Sequence, residues 1–167
     1  MLAGLVEALA GDGGRLSLLS RHASHFAGSA NIVGYDVDYY DEAAFTAALD
    51  AAGPIDLAVA WLHCLDIPAA RRLAERVGTS GAAGRLFQVL GSATGDPARP
   101  DRLARAMDVA VDLPRCRVRQ VVLGFQVEGG RSRWLTDAEI SNGLLAAVRE
   151  DWTYSVVGLI APWSSRP

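Results

Sequence analysis

His22 and His25, three residues apart in "RHASH", have a spacing that some metal sites use, because two imidazoles so placed can face one ion. No Cys, Asp or Glu stands with them on one element as a third ligand, so the pair reads as loop chemistry and no metal is expected. Cys64 and Cys116 lie far apart with no CxxC spacing, which suggests neither a zinc site nor a disulfide framework and leaves two reduced, buried thiols. His63 follows the apolar run "DLAVAWL" and so stands at the carboxyl end of a strand, in the crevice where open α/β sheets bind ligands. A lone histidine there is either an acid-base group or a hydrogen-bonded structural one. All sixteen basic residues are arginines and the chain has no lysine; an arginine stays protonated and so holds anions without delivering protons. The "GDGG" stretch follows a helix and precedes a strand, the reverse of a phosphate loop's context, and is read as a turn.

These residues need elements to place them. Leu2, Leu5, Val6 and Leu9 recur at helical spacing before Gly11 to Gly14 break the helix, and "RLSLLS" follows with strand length. "NIVGYDV" is a second strand, and Asp41 or a neighbour caps a helix that buries Phe45, Ala48 and Leu49. The run "GPIDLAVAWLHC" is apolar on every residue rather than on alternate ones, the pattern of a parallel strand covered on both faces. Helix and strand then alternate through "DIPAARRLAERVG", "GRLFQVLGS", "RPDRLARAMDVAV", "RVRQVVLGF", "TDAEISNGLLAAVRE" and "YSVVGLIA". Thr136 and Glu139 form a capping box for the last helix, whose apolar face is Ile140, Leu144, Leu145 and Val148. The tail "PWSSRP" is expected to be a surface strap. The fold expected is α/β, doubly wound and mostly parallel, in a single domain over residues 1–167.

Composition narrows the partners. The chain has 167 residues, is 50% hydrophobic and carries a formal net charge of −3, which argues against a polyanion-binding surface and so against nucleic acid. No stretch reaches the roughly 20 apolar residues of a membrane span and the first residues lack a basic n-region, so no membrane partner and a cytoplasmic location are expected.

The order of elements resembles the short-chain dehydrogenase/reductase family, Rossmann-fold oxidoreductases that use a nicotinamide cofactor, over nearly the whole chain. The resemblance rests on "LSLLSR" as a second strand ending in Arg, "YDVDYYD" as the adenine-side acidic stretch, "GPIDLAVAWLH" as the fourth strand and "FQVLGSA" as the fifth strand ending in Ser. It further resembles a small, divergent bacterial branch in "RWLTDAEISNGLLAAV" and the closing residues. Members of that branch begin with a strand and a loop of the form GGTGML, so Met1 and Leu2 sit where that loop ends. Either a start codon was assigned inside the reading frame or the chain is a natural remnant without the first strand. If residues 1–167 are the whole chain, no nucleotide is expected to bind well, because the diphosphate of a Rossmann ligand rests mainly on that glycine loop.

The resemblance implies roles residue by residue. Ser20 and Arg21 match the position that holds the adenosine 2′-phosphate, which implies NADP, whereas an acidic residue there would imply NAD; a solvated loop arginine is the alternative. Asp36 and Val37 match the Asp-Val pair beside the adenine ring, although Asp36, Asp38, Asp41 and Glu42 equally suit a helix start. Ala60 and Trp61 stand where the family packs an Asn-Asn-Ala-Gly turn against the cofactor, a departure that His63 shares. Ser92 matches the catalytic serine that binds a substrate carbonyl or hydroxyl. Its Tyr and Lys partners are missing, since the tyrosines are Tyr35, Tyr39, Tyr40 and Tyr154 and "RPDRLARAMDVAV" has neither residue type. Arg102 or Arg105 would supply charge there but no phenol. The function implied is NADP-dependent oxidation or reduction of a small carbonyl or alcohol substrate, the alternative being a non-catalytic binding or regulatory module; relatives assemble as homodimers or homotetramers.

In the family the first strand lies in the middle of the sheet. Paired strands lie about 4.8 Å apart, so an empty slot would part Leu16–Leu19 from Leu57–Ala60 by roughly 10 Å and orphan facing rows of amides and carbonyls. We expect the two strands to close up and pair directly, in preference to a strand donated by a neighbouring chain or an upstream segment.

Overall fold

The computed structural model describes residues 1–62, 68–79, 81–99 and 113–167. In chain order the elements are α1 (Ala3–Gly11), β1 (Leu16–Ser20), β2 (Ile32–Asp36), α2 (Glu42–Ala52), β3 (Leu57–Trp61), α3 (Pro68–Arg76), β4 (Gly84–Gly91), β5 (Cys116–Leu123), β6 (Phe125–Glu128), β7 (Arg131–Trp134), α4 (Asp137–Glu150) and β8 (Tyr154–Val157). Single 3-10 turns cover Ala23–Phe26, Ser92–Gly95 and Trp163–Ser165. The helix expected over "RPDRLARAMDVAV", with Arg102 and Arg105, lies outside the described residues except for Arg99, as do His63 and Cys64.

The fold is α/β with a parallel, Rossmann-like sheet in two pieces. One holds β1 and β2, the other β3, β4, β5 and β8 in that order, every neighbouring pair parallel. The expected pairing of Leu16–Leu19 with Leu57–Ala60 does not form: β1 pairs with β2 and β3 with β4. The cost of an orphaned backbone group arises when it is buried, and here the residues on both free edges, Leu16–Leu19 and Leu57–Val59, are only half-buried.

The uniformly apolar strands divide their side chains between two helical layers. Phe87 and Val89 of β4 and Val121 and Leu123 of β5 pack against Leu5 of α1 and Ile140, Leu144, Ala147 and Val148 of α4. The alternate residues Ala60, Leu86 and Cys116 pack against Ala74 of α3 and Val77. Cys116 is free and buried, as expected, and burial pushes its thiol above the ordinary pKa. Helix α2 covers its own part of the sheet through Phe45, Ala48, Leu49, Val37 and Ala69. Its start is set by Asp41, whose carboxylate accepts from the Ala44 amide at 3.0 Å.

Polar contacts tie the β1–β2 piece to the helix ends beside it. Arg15 donates to the Ala52 carbonyl at 2.8 Å, Tyr35 Oη to the Ala51 carbonyl at 3.1 Å, and Asn31 Nδ2 to the carbonyls of Ala10 and Gly14 at 3.0 and 2.9 Å. Arg72 with Glu42 and Arg76 with Asp50 tie α3 to α2. At the foot of α4, Asp151 takes both Arg119 (3.2 Å) and Arg85 (3.4 Å), so its carboxyl titrates below the ordinary range, chiefly through Arg119. Among the described residues no helix is long and apolar enough to cross a membrane.

Helix α4 lies so close to β8 that a Cβ on Gly143 would strike the Val157 side chain. Gly143→Ala is therefore expected to lower stability by about 1–3 kcal/mol, the range of an overpacked core. Gly11→Ala, at the end of α1 with nothing within 4 Å of the added carbon, is expected to be neutral or stabilising by up to about 1 kcal/mol. Urea midpoints of the two variants moving in the same direction would contradict this packing.

Candidate functional site

Strand β4 ends at Gly91, and the next residue, Ser92, opens a 3-10 turn and is only 4% exposed. The serine faces a cavity of about 270 Å³ at the carboxyl ends of β3, β4 and β5, with walls from Trp61, Leu123, Trp134, Leu135, Ile140 and Arg166. This is where a parallel sheet presents its ligands. The lining is apolar apart from Ser92 and Arg166, the composition of a small-molecule site with few placed polar groups.

Two walls come from segments that the strand-helix alternation did not show. Gly124 ends β5 where a Cβ would meet the Leu159 carbonyl. There the chain crosses itself through reciprocal hydrogen bonds between Phe125 and Leu159, at 2.9 and 2.8 Å. The hairpin β6–β7 then turns on Gly129 and Gly130, at φ 57° and 76°, the positive-φ pair that a two-residue hairpin turn requires. Its last residue is Trp134. The expected continuous strand "RVRQVVLGF" is thus cut at Gly124, with Phe125 in the hairpin. "FQVEGGRSRW" carried the signal, a Gly-Gly pair between two strand-like tetrads.

The tail is more than a strap. Arg166 Nε donates to Ser92 Oγ at 2.9 Å, and its guanidinium carbon lies 5.0 Å from the ring centres of both Trp134 and Trp163. The two indoles fix the cation by cation–π attraction. No periodicity or motif singled out Arg166, Trp134 or Trp163, because their meeting depends on the crossing at Gly124.

The other residues singled out in the sequence gather elsewhere. Ser20 accepts from the Val37 amide through its carbonyl (2.9 Å) and from the His22 amide through its hydroxyl (3.4 Å). Asp36 takes the Ser24 amide at 2.8 Å and the Ser24 hydroxyl at 2.6 Å, which holds its carboxyl below the usual pKa. A Cβ on Gly34 would stand 2.6 Å from the Ala23 backbone, so only glycine lets this loop lie on β2. The Val37 side chain is buried against Phe45, Ala48 and Leu49. Arg21 is exposed in the turn after β1. Trp61 lines the cavity with Ser92, whereas Ala60 points to the α3 face of the sheet. His22 and His25 stack with ring centres 5.8 Å apart, and among the described residues no three metal-ligating side chains cluster.

For a nicotinamide dinucleotide the fit is divided. Ser20 and Arg21 stand at the carboxyl end of β1, with Arg21 exposed and in no hydrogen bond or ion pair among the described residues. The atoms of Asp36 and Val37 that would meet adenine already have partners in the chain. For the diphosphate, no glycine-rich loop leading from a strand into a helix is present among the described residues.

The chain matches no protein-family model and no curated protein. Solved structures do resemble it. ChuY, an anaerobilin reductase from Escherichia coli O157:H7, superposes with a TM-score of 0.64 at 17% identity, over 96% of this chain and 91% of that one. Sorbitol-6-phosphate 2-dehydrogenase SrlD from Erwinia amylovora superposes with a TM-score of 0.59 at 17% identity, over 92% of each. These likenesses show the fold, a Rossmann-like α/β fold with a mostly parallel sheet.

The cavity wall is pinned by charge. Arg133, beside Trp134, binds Glu139, beside Ile140, at 2.8 and 2.9 Å, and also meets Glu128. Arg133, with help from the Thr136 amide, pulls the Glu139 carboxyl down to about 2, against about 4.3 in an unfolded chain. Between those values the unfolded chain binds more protons, so the stabilisation from Glu139 is complete above about pH 4.3 and disappears as pH falls through about 2. Urea midpoints measured from pH 5 to 2 should fall more steeply for the wild type than for Glu139→Gln; equal slopes would show that the pair does not stabilise the fold.

Proposed function

We propose that this chain is an oxidoreductase of the NADP-dependent type, holding a small carbonyl or alcohol substrate in the Ser92 cavity. The observation that carries this reading is the buried Ser92 hydroxyl at the end of a parallel strand, facing an apolar crevice. Ser92 Oγ accepts from Arg166 Nε, which leaves the hydroxyl hydrogen to be donated to a substrate oxygen. Accepting from a cation polarises the hydroxyl and makes it a stronger donor. Trp61, Leu123 and Leu135 exclude water from the substrate's apolar part, which strengthens that hydrogen bond. NADP would be held at its adenosine end by Ser20 and Arg21, and when bound it supplies or takes up the hydride. A homodimer or homotetramer in the cytoplasm belongs to the same reading.

One observation favours a second reading, a module that binds without turnover. The sequence has no lysine, and none of the four tyrosines lines the cavity: Tyr35 is hydrogen-bonded to the Ala51 carbonyl, Tyr39 and Tyr40 meet each other with tilted rings, and Tyr154 starts β8. No phenol is placed to deliver or receive the proton that carbonyl chemistry requires.

Titration with NADPH, followed by nicotinamide fluorescence, tests the nucleotide. Arg21→Glu should weaken binding by about tenfold, the scale of one charge-assisted contact, while NADH binding is less affected. Turnover of small ketones that Ser92→Ala lowers by about 10²-fold or more supports the first reading. Nucleotide binding with no turnover supports the second, and no binding of either nucleotide overturns both.

A further inference from the structure

Ser92 is buried, while Arg166, which bonds to it, is itself exposed. The polar centre of the cavity is thus covered by a residue of the segment that follows β8. The other described walls come from β3, the end of β4, β5, the hairpin and α4, so withdrawing Arg166 uncovers the serine without dismantling them.

The covering segment is a unit on a fixed base. Leu159 is locked to Phe125 by the reciprocal bonds of the crossing, and Ile160 packs against Leu90, Val122 and Val156. Ala161 and Pro162, which follow that base, are exposed. Beyond them the backbone bonds run inside the segment, from the Ser165 amide to the Pro162 carbonyl at 3.0 Å and from the Arg166 amide to the Trp163 carbonyl at 3.1 Å. Trp163 flanks the guanidinium at 5.0 Å and travels with it. Toward the body, among the described residues, the polar ties of residues 162–167 are two contacts of one side chain: Arg166 Nε on Ser92 Oγ at 2.9 Å and the guanidinium 5.0 Å from the Trp134 ring. A short exposed segment with few buried contacts opens at the low end of a protein's range of local stabilities, where active-site lids are found.

We propose that residues 162–167 form a lid over the Ser92 cavity, latched by Arg166. Release of Arg166 from Ser92 admits a small ligand, and return of the same contact polarises the serine hydroxyl and shuts out water. This rests on the oxidoreductase reading for what the lid admits, but opening needs neither nucleotide nor turnover.

A thiol at position 92 reports the opening. In a full chain carrying Ser92→Cys and Cys64→Ala, the small uncharged reagent methyl methanethiosulfonate reaches that thiol when the lid is open, while Cys116, buried against α3, reports unfolding of the whole fold. Peptide mass spectrometry separates the two rates, each normalised to its thiolate fraction from the pH dependence. With the lid intact, position 92 should react at least about tenfold faster than Cys116, because local opening precedes global unfolding. Adding Arg166→Ala should raise the rate at position 92 by at least about a further tenfold, the scale of one charge-assisted hydrogen bond, and leave Cys116 unchanged. Trp134→Leu, which keeps the hydrogen bond and removes one cation–π contact, should raise it less, by about two- to fivefold. Loss of the cation disfavours a thiolate, so faster reaction reports access. Equal rates at the two thiols with the lid intact, an unchanged rate at position 92 in Arg166→Ala, or equal acceleration of both thiols overturns the lid. With Ser92 intact, acrylamide quenching of tryptophan fluorescence gives a second comparison: Arg166→Gln frees the unit that carries Trp163 and should raise quenching, and a folded Arg166→Gln quenched like the wild type overturns the lid. Gated labelling in a chain without turnover counts against the oxidoreductase reading alone, and turnover with ungated labelling against the lid alone.

Discussion

A strand paired in parallel on an all-apolar ladder must be covered on both faces, and this requirement, more than backbone hydrogen bonding, joins the two pieces of the sheet. No ladder runs from β1 to β3. Helix α1 packs Leu5 into the cluster that α4 makes with β4 and β5, while Ala69 of α3 packs into the cluster that α2 makes with Val37. The hydrogen bonds of Arg15, Asn31 and Tyr35 end on carbonyls at the ends of α1 and α2 or just after them, where helices leave such groups unpaired. The helices thus span a place where the strands do not meet.

The cavity depends on a second constraint, the crossing at Gly124. With no side chain there, Leu159 can approach, and the reciprocal bonds between Phe125 and Leu159 bring the hairpin and the tail together. Trp134 arrives from the hairpin and Trp163 and Arg166 from the tail. Arg133 and Glu139 then hold the hairpin to the first turn of α4, next to Ile140. Six separate segments line the cavity among the described residues, and the hairpin and the tail are fixed there by contacts distant in sequence.

This explains which parts were legible. Elements governed by local rules read directly: the helical spacing of Leu2, Leu5 and Leu9, the Asp41 cap, the Thr136–Glu139 box and the apolar runs of β3, β4 and β5 are each encoded within a dozen residues. The position of Ser92 at a strand end was legible for the same reason. Its partner was not, because Arg166 is seventy-four residues away and reaches it only through the crossing. The pairing of β1 was misjudged on a physical point, since the full cost of an orphaned group belongs to buried ones and these edge residues are only half-buried.

A site built from serine, arginine and tryptophan behaves differently from one built on tyrosine and lysine. Phenol and ammonium groups can exchange protons, so they deliver chemistry and also make a site sensitive to pH. None of Trp61, Ser92, Leu123, Trp134, Leu135 and Ile140 ionises in the physiological range, and an arginine side chain stays protonated throughout it. Through its described residues the cavity therefore presents a permanent positive charge and a polarised hydroxyl, groups suited to selecting and orienting a polar ligand. Among the described lining residues no group takes up or releases a proton in that range, so recognition is the part of the task that these residues are built to perform.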